Sequence, residues 1–536
     1  MQIDHDRATA AGVNSKPAAP GGDYEHLPYL SLPITYSQPA HLAGLAALHG
    51  LEPPAADRAR VLELGCASGG NLIPLAARFP KARFLGLDLS ARQIADGNRR
   101  IAAFGLGNIE LRQGDIAAFA IEGAPFDYVI CHGVYSWVPP AVQDAILKVA
   151  SASLADHGIA AISYNVLPGW HLRQVVRNIL LQHAGSSGTP QSRVAKARAI
   201  LQQLAGAAKL ADPYSQLLRH EAKLLEKMPA SYILGEFLAE YNAPCTFRDF
   251  HGKAAQHGLT FLCESDLSAP TRQQLTAPAL KTVAELSGGD AMATEQYLDM
   301  FSGRPFRRSL LIKSNQTTNV SRPIRPERML PLHLSARLLP DPARSRDGAF
   351  AFTDERGQSL ATRAAAIGRA LTTLSEAFPE SVAVQTLAGQ GPERARIVRA
   401  LLDLLMDGRA TASTLALETG RSTDARPRAW SLARAEAAAG QPGITSLRHV
   451  LVALPKMALA ITARLDGRHD REELVNWLAQ EIRTGTIEAP EPEASGAPAA
   501  EPSRDRALSL AKHHVEATLR HLAACGVLAP PAAPAA

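Results

Sequence analysis

The stretch Val61-Leu62-Glu63-Leu64-Gly65-Cys66-Ala67-Ser68-Gly69-Gly70-Asn71 joins a short apolar run to a glycine-rich turn. The apolar run predicts a buried strand, and the residues that follow the glycines have the composition of a helix. A strand, a glycine turn and a helix in this order direct backbone N–H groups and the helix N-terminus toward a bound ligand. The stretch therefore predicts the ligand-binding turn of a parallel α/β sheet.

Two aspartates follow the next two apolar runs of the chain. Asp88 ends the run 83–88, and Asp115 comes just after the run 108–113. An acid at the end of the second strand of such a sheet accepts hydrogen bonds from both hydroxyls of a ribose. A polar position after the third strand suits the adenine. Together these residues predict a nucleoside pocket at the carboxyl edge of the sheet.

The spacing of the glycines indicates which nucleoside binds. Dinucleotide-binding turns read G-x-G-x-x-G, and their second glycine makes room for a pyrophosphate. Ala67 stands at that position here, and the pattern Glu-x-Gly-x-x-x-Gly resembles motif I of the class I S-adenosylmethionine (SAM) methyltransferases. The alternative is a tight βα turn whose two aspartates only cap helices. We predict SAM as the cofactor, bound by Glu63, Gly65, Cys66, Gly69, Asn71, Asp88, Asp115, Ile116 and His132.

The fold prediction follows from alternating strand and helix patterns. Strands are predicted at 60–64, 83–88, 108–113, 126–131 and 158–164, with helices at about 70–79, 90–104 and 140–155. This βαβ alternation predicts a parallel sheet covered by helices on both faces. A sixth strand at 259–263 and a seventh, antiparallel strand at 309–313 complete a Rossmann-like class I methyltransferase fold, which carries helical insertions. A mainly α-helical, winged-helix-like domain follows it.

The domain boundaries follow from changes in composition. Ala, Gly and Pro dominate the first residues, and Tyr24, Tyr29 and Tyr36 then alternate with prolines in an extended arm. Ten Arg or Lys against two acids mark residues 304–346, which are read as a solvated connector or as a surface for an acidic partner. We predict a disordered N-terminus 1–22, an arm or lid 23–50, a methyltransferase domain 51–315 with insertions 171–245 and 266–304, a basic connector 316–346, a winged-helix-like domain 347–483, a flexible linker 484–505, and a C-terminal helix and tail 506–536.

Composition narrows the classes of partner and compartment. The 536 residues carry a net charge of only +5, so no global nucleic-acid footprint is expected. The five cysteines form no C-x-x-C pair, which is typical of reduced cytosolic thiols. The first residues lack the apolar core of a signal peptide, and no uncharged apolar run reaches membrane-spanning length. We predict a cytoplasmic protein that acts on a protein substrate and contacts neither membrane nor nucleic acid, and a homodimer remains open.

The acceptor side of the site is expected in the loops that follow strands four and five. These loops hold four of the protein's few aromatic residues, and an aromatic face suits a sulfonium or an alkylammonium. Ordinary packing is the alternative for each ring. His132 and His171 are candidate bases or structural hydrogen-bonding groups, and methyl transfer requires no metal. The predicted catalytic residues are Tyr135, Trp137, Tyr164, Asn165 and Trp170.

Several stretches resemble the bacterial class I methyltransferases that carry a methyltransferase regulatory domain. That group includes the rickettsial protein-lysine methyltransferases of outer membrane proteins. The similar stretches are 63–71 (ELGCASGGN), 133–139 (GVYSWVP), 163–171 (SYNVLPGWH), 232–238 (YILGEFL), 247–250 (FRDF) and 306–311 (FRRSLL). The C-terminal part resembles the family's winged-helix domain around 465–467. The resemblance implies SAM-dependent methylation of lysine side chains on a protein.

Two other functions stay open on the residues alone. One is a methyltransferase for a small metabolite, because a single fold accommodates many acceptors. The other is a SAM-sensing regulator that is not an enzyme, whose winged-helix part contacts DNA or a partner protein.

Overall fold

The computed structural model describes residue 27 and residues 30–207, 211–267, 275–346, 348–441, 443–488 and 503–531. The predicted disordered N-terminus, Tyr24 and Tyr29 of the arm, and most of the predicted linker 484–505 lie outside these residues. The first described helix, α1 (Pro39–Leu48), leads from the arm into the catalytic domain.

A seven-stranded sheet forms the centre of the described catalytic domain. Its strand order is β3-β2-β1-β4-β5-β7-β6, and β7 runs antiparallel to both of its neighbours. The strands are β1 (Arg60–Leu64), β2 (Arg83–Asp88), β3 (Ile109–Gln113), β4 (Phe126–Cys131), β5 (Leu154–Asn165), β6 (Leu259–Glu264) and β7 (Phe306–Lys313). The predicted fold class, including the antiparallel seventh strand, is confirmed.

The strand order places the ligand-binding crevice. β1 pairs in parallel with β2 on one side and with β4 on the other. The chain therefore changes its direction of winding at β1, and ligands of open α/β sheets bind outside the carboxyl ends of the strands at such a point. The glycine turn leaves the carboxyl end of β1, so it lies at this crevice.

Helices cover the sheet and form the insertions. The helices that pack beside the first five strands are α2 (Leu72–Arg78), α3 (Ala91–Phe104) and α4 (Pro140–Ser153). The insertion after β5 contains α5 (Trp170–Ala184), α6 (Pro190–Ala207), α7 (Pro213–Lys227) and α8 (Ala230–Phe237). Beside β6 and β7 lie α9 (Phe247–Gln256), α10 (Ala277–Ser287) and α11 (Ala291–Ser302). Within the predicted insertion 171–245, α7 and α8 are separated at Pro229, which has extended backbone angles and precedes α8.

A buried ion network joins β7 to its neighbours. The Arg307 guanidinium is fully buried and donates to both carboxylate oxygens of Asp299, at 2.8 Å each. It also donates to Glu264 Oε1 at 2.8 Å and to Glu295 Oε2 at 3.1 Å. These bonds connect β7, β6 and α11, so Arg307 compensates charges that would otherwise be costly to bury.

Residues 316–346 were predicted to form a solvated basic connector, but in the structure this segment packs against the rest of the molecule. Arg322 donates to the carbonyl oxygens of Phe261 and Leu262, and Arg328 donates to that of Leu48. The backbone then enters strands of the second half of the molecule. Arg322 and Arg328 are therefore used in backbone contacts, whose partners are distant in sequence and do not appear in the local composition.

The second half of the molecule contains short strands and helices. Its strands are β8 (His333–Ser335), β9 (Leu339–Pro340), β10 (Phe350–Thr353), β11 (Ser359–Thr362), β12 (Val382–Ala383), β13 (Thr411–Ser413), β14 (Gly443–Thr445) and β15 (Leu451–Ala453). Its helices are α12 (Ala365–Ala377), α13 (Val384–Ala388), α14 (Arg394–Met406), α15 (Ser431–Ala438), α16 (Lys456–Arg464), α17 (Arg471–Arg483) and α18 (Arg504–Cys525). β8 pairs with β12 and β13, and β14 pairs with β15 in a hairpin.

The last helix belongs to the C-terminal domain and is not a separate appendage. α18 packs against α17, and Val515, Leu519 and Leu522 are buried in the main core. After α18 the chain returns to bridge Ala429 with Leu528. The predicted domain boundary at 506 is therefore wrong. The Pro/Ala-rich composition before it suggested that the last helix is separate, but the apolar face of that helix packs into the core of the C-terminal domain.

Among the residues that the structure describes, no helix has both the length and the apolar character needed to cross a bilayer.

The Arg307 network generates a stability prediction. Arg307→Ala leaves buried carboxylates uncompensated, so we expect the free energy of unfolding of the catalytic domain to fall by about 3–5 kcal/mol. Arg399→Ala is the control, because its pair with Asp403 lies on the exposed face of α14 and should contribute less than about 1 kcal/mol. Urea unfolding of both variants measures this. Equal midpoints for the two variants would contradict the assignment.

Candidate active site

The glycine turn is anchored to the end of β2. The N–H groups of Gly65 and Cys66 both donate to the Leu87 carbonyl oxygen, at 2.8 and 3.1 Å. Gly65 has a φ of +78°, and a Cβ at this position would lie 2.3 Å from Val134 Cγ2. Both the left-handed backbone and the close approach require glycine at position 65.

Asp88 stabilises the turn from the neighbouring strand. Its Oδ2 accepts the Ala67 N–H at 2.7 Å, and its Oδ1 accepts the Ser90 N–H at 2.9 Å. Ala67 itself has a positive φ of 49°, so the first bond supports a backbone conformation that alanine rarely adopts. Asp88 thus ends β2 beside the turn, where the ribose of a bound nucleoside is expected.

Glu63 places a buried carboxyl group behind the turn. Its Oε1 accepts the Asn71 amide at 3.0 Å, whereas its Oε2 is buried and meets no donor among the described residues. Burial, followed by the nearby charge of Asp88, raises the pKa of Glu63 to about 8. A buried carboxyl oxygen without a partner suits the ammonium group of an amino-acid ligand.

The other predicted cofactor residues differ in their environments. Cys66 is buried below the turn, and burial raises the pKa of its thiol well above the usual value, so it is a packing residue. Asp115 is exposed and caps a short 3-10 turn, where its Oδ1 accepts the Ala117 N–H at 2.9 Å, and Ile116 is buried beside it. Burial and the charge of Arg308 lower the pKa of His132 to about 4, so its imidazole is neutral at pH 7.

The N-terminal arm lies across the turn. The Ser31 hydroxyl accepts the Gly70 N–H at 2.7 Å, and the Ile34 N–H donates to Asn71 Oδ1 at 3.0 Å. A Cβ on Gly70 would lie 2.3 Å from the Ser31 backbone, so glycine at this position permits the close approach of the arm. Leu27 packs on the helical insertion. The arm therefore runs from the insertion over the turn, although local sequence gave no sign of which residues would meet.

Two of the predicted acceptor residues belong to the core. Tyr135 and Tyr164 are 0% and 1% exposed, and the Tyr164 ring stacks on Phe250 at 3.9 Å between centroids. The Tyr164 hydroxyl is bonded to Ser309 Oγ at 3.1 Å. These two rings were predicted to line an acceptor channel, whereas the structure places them in the core. Phe250 comes from α9, far along the chain, and the loop sequences alone do not show that it fills the space between the strands.

The other three acceptor candidates lie together at the ends of β4 and β5. The rings of Trp137 and Trp170 meet edge to face at 5.8 Å, and Trp170 Nε1 donates to Asn242 Oδ1 at 2.8 Å. Trp137 is partly exposed. The Asn165 N–H donates to Ser136 Oγ at 2.8 Å, while its Nδ2 is buried and finds no acceptor within the described ranges. His171 is exposed on the first turn of α5.

Three family profiles match consecutive parts of the chain. A methyltransferase domain matches residues 61–158, a predicted methyltransferase regulatory domain matches residues 229–313, and the C-terminal winged helix domain of PKMT matches residues 425–527.

Rickettsial proteins and one solved structure are similar to the chain. RP789 of Rickettsia prowazekii, an uncharacterized protein, is 39% identical over 298 residues, which cover 55% of this chain and about half (53%) of RP789. RP028 of the same organism, also uncharacterized, is 37% identical over 43% of this chain and 93% of its own length. The structure of PKMT2 from Rickettsia typhi in complex with AdoHcy has a TM-score of 0.82 at 26% identity, and covers 94% of this chain and 100% of that one.

The fold, the glycine turn with its two acids, and these likenesses define a SAM-dependent methyltransferase. The chain belongs to the class I methyltransferase family that carries a regulatory domain and a C-terminal winged-helix domain.

The residues present fit the cofactor SAM. Gly65 and Gly69 hold the positive-φ backbone of the turn, Asp88 ends β2 beside it, and the Oε2 of Glu63 lacks a partner among the described residues that an ammonium group would supply. SAM supplies a methyl group carried on a sulfonium. Residues at the carboxyl edge of the sheet would orient that group for transfer to an acceptor.

Replacing Asp88 tests the cofactor assignment. Asp88→Ala removes the acceptor for two backbone N–H groups as well as the ribose contacts, so AdoHcy should bind at least about tenfold more weakly. Asp88→Asn retains one acceptor oxygen, so its affinity for AdoHcy should lie between those of the wild type and Asp88→Ala. Isothermal titration with AdoHcy measures the affinities, and unchanged binding by Asp88→Ala would refute the assignment.

The raised pKa of Glu63 predicts a pH-dependent affinity. Below about pH 8 the Glu63 carboxyl is protonated in the free protein, and an ammonium next to it favours the carboxylate. AdoHcy binding should therefore release a proton, and the affinity should rise with pH up to about 8 and then level off.

Isothermal titration calorimetry in buffers of different ionisation enthalpy measures how many protons are released when AdoHcy binds. Glu63→Gln is the matched control, because its side chain has the same shape but does not titrate. If wild type and Glu63→Gln show the same pH dependence, Glu63 is not the group that titrates.

Proposed function

We propose that this methyltransferase transfers the methyl group of SAM to lysine side chains of a protein substrate. The likeness to PKMT2 over the whole length of that protein carries the proposal, because it extends beyond the widespread methyltransferase fold. The match to the winged-helix domain of PKMT supports it independently.

The chemistry of the acceptor side agrees with an amine acceptor. Trp137 and Trp170 form an aromatic pair at the sheet edge where the methyl donor binds. The partly exposed Trp137 ring suits an alkylammonium, which must lose a proton before it can attack the methyl group, and the buried Trp170 ring packs against it. Apolar surroundings lower the pKa of such an amine, so no dedicated base is required.

The surroundings of the tryptophan pair favour a large acceptor over a metabolite. Leu172 and Val175, on the first turns of α5, are 61% and 39% exposed. Tyr241 is 46% exposed and adjoins Asn242, the partner of Trp170. Exposed apolar side chains grouped beside a site are typical of a surface that binds protein.

The position of the β14–β15 hairpin argues against the alternative function, a SAM-sensing regulator that binds DNA. The turn of this hairpin packs on the methyltransferase domain, where Arg78 donates to the Leu447 carbonyl at 2.9 Å and Thr35 donates to that of His449 at 3.2 Å. A nucleic acid would have to displace these contacts to reach the hairpin turn.

Transfer of labelled methyl from SAM into a lysate of the native host tests the proposal. We expect the label in protein, and mass spectrometry should place it on lysine. Trp137→Ala should reduce the transfer while AdoHcy affinity stays within about twofold of wild type, because this ring lies on the acceptor side. Asp88→Ala serves as the control that loses cofactor binding.

Two other results would replace the proposal. Label found only in small molecules would assign the protein to metabolite methylation. AdoHcy binding without transfer to any fraction would favour the sensor.

A further inference from the structure

Asn71, the first residue after the glycines, is a buried hydrogen-bonding centre for three parts of the chain. Its Nδ2 donates to Glu63 Oε1 in β1 and to Ser37 Oγ in the arm, at 3.0 Å each. Its Oδ1 accepts the Ile34 N–H from the arm at 3.0 Å and His449 Nε2 from the C-terminal domain at 2.8 Å. The Ser37 hydroxyl also lies 3.2 Å from Oδ1, so both donors and both lone pairs of the side-chain amide have partners.

The contacts determine which atom donates to which. The Ile34 backbone N–H can only donate, so the atom that receives it is the amide oxygen of Asn71. His449 Nε2 must then carry a hydrogen. Burial, and then the charge of Arg78, lowers the pKa of His449 to about 3, so the ring remains neutral and holds this tautomer.

His449 reaches Asn71 from the turn of the β14–β15 hairpin. Its backbone φ is +61°, an unusual conformation for a residue with a side chain, and the ring is buried. The bonds of Arg78 and Thr35 to the same hairpin turn hold it against α2 and the arm. The ring thus enters the catalytic domain directly behind the SAM-binding turn.

We infer that His449 is a positioning residue for SAM binding. Without the His449 donor, the Asn71 amide loses one of the bonds that fix its orientation and is held less firmly against Glu63. The carboxyl group behind the turn and the arm over the turn then lose a shared support. Among the contacts of the C-terminal domain with this region, the His449 bond is therefore the one that acts directly on the residue next to the cofactor turn. This role requires SAM binding only and does not depend on which acceptor is methylated.

A matched pair of variants isolates that hydrogen bond. His449→Gln and His449→Met have similar length and share the same backbone constraint, but only glutamine carries a donor near the position of Nε2. We expect His449→Gln to bind AdoHcy within about threefold of wild type, and His449→Met to bind at least about tenfold more weakly. Isothermal titration measures both, and thermal unfolding confirms that each variant is folded.

A third variant separates this bond from general docking of the domain. Arg100 pairs with Glu436 across the same interface at 3.3 Å but touches neither Asn71 nor the turn. Glu436 keeps its bonds to Thr445 when Arg100 is removed. Arg100→Ala should therefore leave AdoHcy affinity unchanged. The inference is overturned if His449→Met and His449→Gln bind equally, or if Arg100→Ala weakens binding as much as His449→Met.

Wild-type protein provides a second test if His449→Met does not fold. Coupling between two sites is reciprocal, so AdoHcy should stabilise the hairpin that supports its turn. Hydrogen exchange of residues 443–453 should slow on adding AdoHcy. Unchanged exchange in the hairpin, with AdoHcy shown to be bound, would overturn the inference.

Discussion

The side-chain amide of Asn71 must satisfy β1, the N-terminal arm and the C-terminal domain within a volume that is shielded from water. Such a buried group costs free energy unless every donor and acceptor finds a partner. Its four bonds require Glu63, Ser37, Ile34 and His449 to be in place at the same time. The SAM-binding turn therefore depends on elements that lie both before and far after it in the chain.

The two acids beside the turn, Asp88 and Glu63, have different roles. Asp88 is half-buried and receives two backbone N–H groups, so it stabilises the turn as a carboxylate even before a ligand binds. Glu63 is deeply buried with one oxygen unpartnered, and burial favours its protonated form. The first acid maintains the shape of the turn, whereas the second has a charge state that responds to a cationic ligand. Different solvation of two neighbouring carboxyl groups produces this division.

Local sequence predicted the strands of the sheet closely, because periods of apolar residues and the turn glycines are local signals. It also placed Trp137 and Trp170 in loops at the same sheet edge, where their rings meet, because the carboxyl ends of parallel neighbours share one edge. It was less accurate for Tyr135 and Tyr164, whose rings are covered by Phe250. Whether an aromatic residue lines a channel or fills a core depends on residues that pack against it from elsewhere in the chain.

The sequence by itself determined the class of fold, the cofactor turn and its acids, since these follow from a motif within a few residues. Only the tertiary structure decided that the arm lies on Gly70, that the basic stretch after β7 is structured, and that His449 reaches Asn71. His449 is 378 residues away from Asn71, and a hydrogen bond between them leaves no periodic or compositional signal in the chain. Contacts of this kind are specified by the packing of whole domains, because only folding brings the donor and the acceptor within bonding distance.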